Sequence, residues 1–131
     1  MVADLAVLGA RRIVRVGTAV AQDLPPGEIV VAESVLGHDG TSRALGGGEP
    51  DPALTTALAD AGARRAALVS VDVLGNPAAQ LADLQSAAVL AAAARAGLAA
   101  ASLVAVVEHL GIPPSAETEQ TLGRIALAAL G

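Results

Sequence analysis

The residues with most chemistry to offer lie inside an apolar run. "RRIVRVGTAVA", residues 11–21, sets Arg15 in a β-branched stretch that breaks at Gly17-Thr18. A guanidinium there has two uses. It can hold an anion: Gly17 would let a ligand approach the backbone, Thr18 offers a hydroxyl and an N–H, and Arg15 supplies a fork of donors. Alternatively, it can pair with a carboxylate of a neighbouring helix. R-x-G-T is a short, common string, and on spacing alone the internal pair stands slightly ahead.

Two further stretches carry polar groups. In "ADLQSAAV", residues 82–89, Asp83 and Gln85 flank a helix start and Ser86 follows. Such groups could hydrogen-bond sugar hydroxyls from a loop above a sheet. Asp also favours helix starts, so a capping cluster on a solvated helix end is the simpler role. In "VVEHLG", residues 106–111, Glu108 and His109 could form an acid/base pair. Adjacent strand residues point to opposite faces, so both line one pocket only where the strand has ended. A single edge charge beside a surface His is an equal alternative. His38 and Asp39 have metal-ligand chemistry without companion spacing, so neither a metal site nor a cofactor is expected.

Composition bounds these options. The chain has 131 residues, enough for one domain with one core. Its apolar content, 53%, excludes a disordered class, yet it holds no Phe, Tyr or Trp. The core must therefore be built from Ala, Val and Leu, and no ring can stack on a base. Cysteine is absent, which removes disulfides and thiolate catalysis. The net charge is −5 and every basic residue is an unclustered Arg, so a nucleic-acid partner is not expected. No leader pattern opens "MVADLAVLGARR", and a cytoplasmic protein is the default. Residues 86–107 are long enough to span a membrane, but Arg95 and Gly97 interrupt an Ala-rich run. A helix that stops at Gly97 and feeds a strand fits better.

That junction recurs. "AVLGARRIVRV", "ALADAGARRAALVSV" and "AAARAGLAAASLVAVV" each pass from an Ala/Leu helix through glycine into a strand. The alternation implies a parallel or mixed sheet covered by helices. Helices are expected over 2–8, from Pro52 to near Ala61 behind an Asp51 cap, over 81–96, and from a Ser115 cap to about Leu130 with Glu117 and Glu119 in its first turn. Strands are expected over 12–18, 28–36, 65–73 and 101–108, with loops at "DLPPGE", at the Gly-rich 37–51, at "GNPAAQ" and at "GIPPS". Strands 12–18, 65–73 and 101–108 are apolar on both faces, which suits full burial. Their carboxyl ends carry Arg15 to Thr18, Asp72, and Glu108-His109, where open α/β sheets bind ligands.

In order along the chain, "RVGT", "GEIVV", "DGTS", "ADLQS" and "VEH" resemble the nucleoside phosphorylase family, in the branch holding uridine phosphorylase and hexameric purine nucleoside phosphorylase. The resemblance covers nearly all of residues 1–131 and is most specific over 8–42. It implies a single three-layer αβα domain around a mixed, largely parallel sheet, lacking the family's N-terminal strands. It implies phosphate binding by Arg15, Gly17 and Thr18, ribose binding by Leu84 and Gln85, and a catalytic carboxylate at Glu108. The reaction implied is phosphorolysis of the N-glycosidic bond of a purine or pyrimidine nucleoside. Departures accompany it: Gln85 replaces the family's ribose-holding Glu, the aromatic residues that pack on base and ribose are absent, and "SAETEQT" supplies acids where the family often has an Arg. With these, loss of activity is open, and the alternative is a non-catalytic α/β module that binds nucleoside or phosphate. Missing strands would leave an unpaired edge or an uncovered face, so a homo-oligomer, at least a dimer, is expected.

Overall fold

The computed structural model describes residues 2–71 and 81–131. Asp72, the last residues of the expected 65–73 strand and the "GNPAAQ" loop lie outside them. The elements run α1 (Val2–Val7), β1 (Arg12–Ala21), β2 (Ile29–His38), α2 (Gly40–Leu45), α3 (Pro52–Asp60), β3 (Arg64–Val71), β4 (Leu81–Asp83), α4 (Ser86–Ala96), β5 (Ala99–Val106) and α5 (Ala116–Leu130).

Local chemistry sets most boundaries. Asp51 and Ser115 cap α3 and α5, accepting from the backbone N–H of Leu54 and Thr118. Gly97 ends α4 in the left-handed region, at φ 73°, where a Cβ would be strained. The expected 81–96 helix divides: Leu81–Asp83 pairs as a strand and the helix starts at Ser86. Residues 86–107 thus form α4, the Gly97-Leu98 junction, β5 and Val107. Among the described residues, no helix is long and apolar enough to cross a membrane.

The sheet is mixed and largely parallel. β1–β5, β2–β3 and β3–β4 are parallel, while β1–β4 and β2–β5 are antiparallel. The three-layer expectation needs one change: the strands close in the order β1-β4-β3-β2-β5, so the central element is a barrel rather than an open layer. A bulge between Ala32 and Ser34 bends β2, which favours curvature. Closure also removes the unpaired edge that was one ground for expecting self-association.

Five strands enclose a narrow interior, which suits small aliphatic side chains. A cluster drawn from all five, including Ala19, Val30, Leu68, Leu81 and Val104, fills it without any aromatic ring. Alternate residues of β2 and β5, Val31 and Leu103 among them, face Leu54, Leu58, Leu122 and Ile125 of α3 and α5. A third cluster joins Leu90 and Ala93 of α4 to Leu98 and Ala100, with Val2 and Ala6 of α1 against it. β5 is buried almost throughout, as its apolar run implied, but β1 is mostly half-buried and Val16 is 47% exposed. Full burial of β1 was therefore not realised: part of its surface lines hollows instead.

Candidate functional site

Arg15 was expected near a strand end, with Gly17 breaking the run. Instead β1 continues to Ala21, because Arg12 to Ala19 pair with β5 and Val20 and Ala21 pair with β4. Continuous pairing with β5 carries the strand through the glycine, and β4 adds pairs at its end. Gly17 has a steric role here: a Cβ on it would lie 2.6 Å from both terminal nitrogens of Arg15 and 2.7 Å from Cζ. The missing side chain lets the guanidinium fold back across the strand.

Folding back brings it to an internal acid. Arg15 Nη1 lies 3.2 Å from Asp83 Oδ2, and it donates to Ser86 Oγ at 3.3 Å. The two side chains are 14% and 1% exposed. Burial pushes the guanidinium pKa below its ordinary value, and the Asp83 charge opposes that shift. The internal ion pair is thus present, with its acid on β4 rather than on a helix.

Sheet register assembles the rest of this polar node. Parallel pairing sets Ser70 of β3 beside Asp83, and Ser70 Oγ donates to Asp83 Oδ1 at 2.6 Å. Parallel pairing of β1 and β5 sets Ser102 beside Arg15, with Ser102 Oγ 2.6 Å from Ser86 Oγ. The Ser86 hydroxyl donates to Asp83 Oδ2, the Ser86 N–H reaches Asp83 at 3.2 Å, and the Ala87 N–H donates to Ser70 Oγ at 2.8 Å. Asp83, Ser70, Ser86 and Ser102 are each 0% exposed. Buried polar groups must be partnered, and every one of these is.

Beside the node lies a cavity of about 300 Å³, lined by Arg15, Val16, Gly17, Thr18, Leu84, Gln85, Leu110 and Gly111. It gathers five of the six expected site residues from β1 and from the turn between β4 and α4. Glu108 is not among them. β5 ends at Val106, two residues sooner than expected, so Glu108 and His109 sit on the following turn. Freed from strand alternation, both line a second cavity of about 340 Å³ with Gly27, Ser115 and Thr118. Among the described residues, no three His, Asp or Glu side chains group as metal ligands.

Sequence reasoning missed Ser70, Ser102, Leu110 and Gly111, and read Asp83 as a helix cap or a sugar contact rather than as the partner of Arg15. Ser70 and Ser102 left one signal: a hydroxyl within a buried apolar strand requires a partner.

Comparison with known proteins adds to this geometry. The sequence profile of the Phosphorylase superfamily matches residues 2–83. No curated protein sequence matches the chain. The fold is similar to the P. knowlesi homologue of P. falciparum PNP, with TM-score 0.79 and 14% identity over 98% of this chain and 66% of that one. It is similar to purine nucleoside phosphorylase from Toxoplasma gondii, solved in complex with immucillin-H, with TM-score 0.79 and 19% identity over 95% of this chain and 64% of that one. It is also similar to AMP nucleosidase from Bacteroides thetaiotaomicron, with TM-score 0.78 and 13% identity over 98% of this chain and 65% of that one. The chain therefore spans just under two thirds of the length of these proteins.

Proposed function

Because the chain belongs to the phosphorylase superfamily, we propose that the Arg15 cavity is the sugar-and-phosphate end of a nucleoside site, within one phosphorylase-like domain over residues 1–131. One observation carries this: Arg15, Gly17, Thr18, Leu84 and Gln85, distant in sequence, line a single hollow. Arg15 and the Thr18 hydroxyl would hold phosphate, and Leu84 and Gln85 the ribose. A phosphate oxygen would attack the anomeric carbon as the C–N bond breaks, its electron pair leaving on the base. Glu108 would deliver the proton the base needs, giving ribose 1-phosphate and free base. The expected setting is the cytoplasm.

A second reading, binding without turnover, has specific support. Glu108 lines a different cavity, and Gln85 has no charge to stabilise a cationic sugar. Self-association into at least a dimer belongs to either reading. The exposed apolar residues Val7, Leu8 and Leu127 support it, and a monomer at micromolar concentration in sedimentation would overturn it.

Thermal unfolding with uridine, inosine, ribose 1-phosphate and inorganic phosphate tests the site. A ligand at about 100 times its dissociation constant adds about 2.7 kcal/mol to stability, which moves the midpoint by several degrees. Absence of any shift with all four ligands ends both ligand-binding readings. If turnover is limited by the missing ribose charge, Gln85→Glu raises phosphate-dependent base release; an unchanged rate favours binding alone.

A further inference from the structure

Among the described residues that line the Arg15 cavity, Arg15 alone carries an ionisable side chain. Its charge is already matched by Asp83 at 3.2 Å. The described wall of the hollow is therefore close to electroneutral, inside a chain of net charge −5. We propose that Asp83 is a positioning residue that makes this cavity select an uncharged pentose ahead of phosphate. This rests on the nucleoside-site reading and specifies which half of the ligand dominates binding.

Three features converge on it. The first is competition. A dianion approaching Arg15 must either displace Asp83 from Nη1 or bind the other edge of the guanidinium with a carboxylate close behind it. Poorly solvated like charges repel strongly, and no second cation on the described wall offsets the repulsion. Asp83 will not swing away readily, since Ser70, the Ser86 hydroxyl and the Ser86 N–H all donate to it.

The second is the chemistry of the remaining wall. Thr18 and Gln85 are neutral and each can both donate and accept, which matches sugar hydroxyls. Leu84 and Val16, 43% and 47% exposed, offer apolar surface to the C–H face of a ring. The third is that the pairing is enforced from both sides. Gly17 leaves room for the guanidinium only as it folds back, and the Ser86 hydroxyl accepts from the same nitrogen that meets Asp83. Arg15 is thereby presented as a fixed hydrogen-bond donor whose charge is largely cancelled.

Calorimetric titration with ribose and, separately, inorganic phosphate tests this on the wild-type chain and on Asp83→Asn, which keeps the side chain's shape and removes its charge. The wild type is expected to bind ribose more tightly than phosphate. Asp83→Asn is expected to bind phosphate about tenfold more tightly than the wild type, with a gain that shrinks as salt rises, while ribose affinity moves far less. A variant that merely loosened the fold would weaken both ligands together. Ribose binding with phosphate affinity unchanged in Asp83→Asn overturns this proposal alone. Wild-type chain that prefers phosphate overturns it too, and that arm decides by itself should the variant not fold. Silence toward both ligands in both proteins overturns the nucleoside site itself.

Discussion

Two strand ends are built to one plan and differ in what they reach. "DGTS", residues 39–42, follows β2, and "DLQS", residues 83–86, closes β4. In each, a buried Asp accepts from the backbone N–H and the hydroxyl of the Ser three residues on. Asp39 is 2% exposed and Asp83 0%. The bonds described for Asp39 stay inside its own turn, where it caps the six-residue α2. Asp83 uses the same turn but also meets Ser70 of β3 and Arg15 of β1, and through Ser86 it is linked to Ser102 of β5. A local cap becomes a tertiary node once sheet register brings a cation and two hydroxyls within reach. The energetic difference should be large, since a lost cap costs one helix end and a lost ion-pair partner strands a buried charge.

The strongest way to break this comparison is to remove each acid. Asp83→Ala is expected to cost about 3–5 kcal/mol, because it leaves a guanidinium buried without its partner. Asp39→Ala should cost about 0.5–2 kcal/mol, the range for a lost N-cap. Urea unfolding of both variants gives the answer, and equal losses would mean that the Asp83 node adds nothing to its turn. A double-mutant cycle sharpens the point: Arg15→Met with Asp83→Asn should cost less than the two singles added, by about 0.5–3 kcal/mol. Additive losses would show that the ion pair is not a coupled unit. Gly17→Ala tests the steric half. Its cost should be about 1–3 kcal/mol from overpacking against the guanidinium, and it should largely vanish in an Arg15→Met background, where nothing remains to collide.

Legibility followed the range of the interactions. The caps at Asp51 and Ser115 and the left-handed Gly97 could be read because each is decided within a few residues. The α2 turn inside the Gly-rich loop and the three-residue β4 could not. β4 exists only because β1 and β3 pair with it, and its sequence, "LAD", continues smoothly into an Ala-rich helix. At the site, "RVGT" and "DLQS" could be marked as polar interruptions, and six of their residues do share one hollow. What could not be read was which acid meets Arg15, since that depends on the pairing of β4 with β1 across the sheet. The placement of Glu108 turned on where β5 stops: an end two residues earlier moved it to a different cavity.

Among the described residues, the barrel is joined between β1 and β4 by two residue pairs, Val20 with Ala82 and Ala21 with Leu81. Every other junction except the three-pair contacts of β2–β5 and β3–β4 is far longer. That seam adjoins Asp83, so the same brief opening that unzips the cylinder withdraws the acid and leaves the guanidinium bare. Architecture and recognition share one latch: amide protons of residues 20–21 and 81–83 should exchange before those in the middle of β5, and any ligand held in the hollow should slow them first.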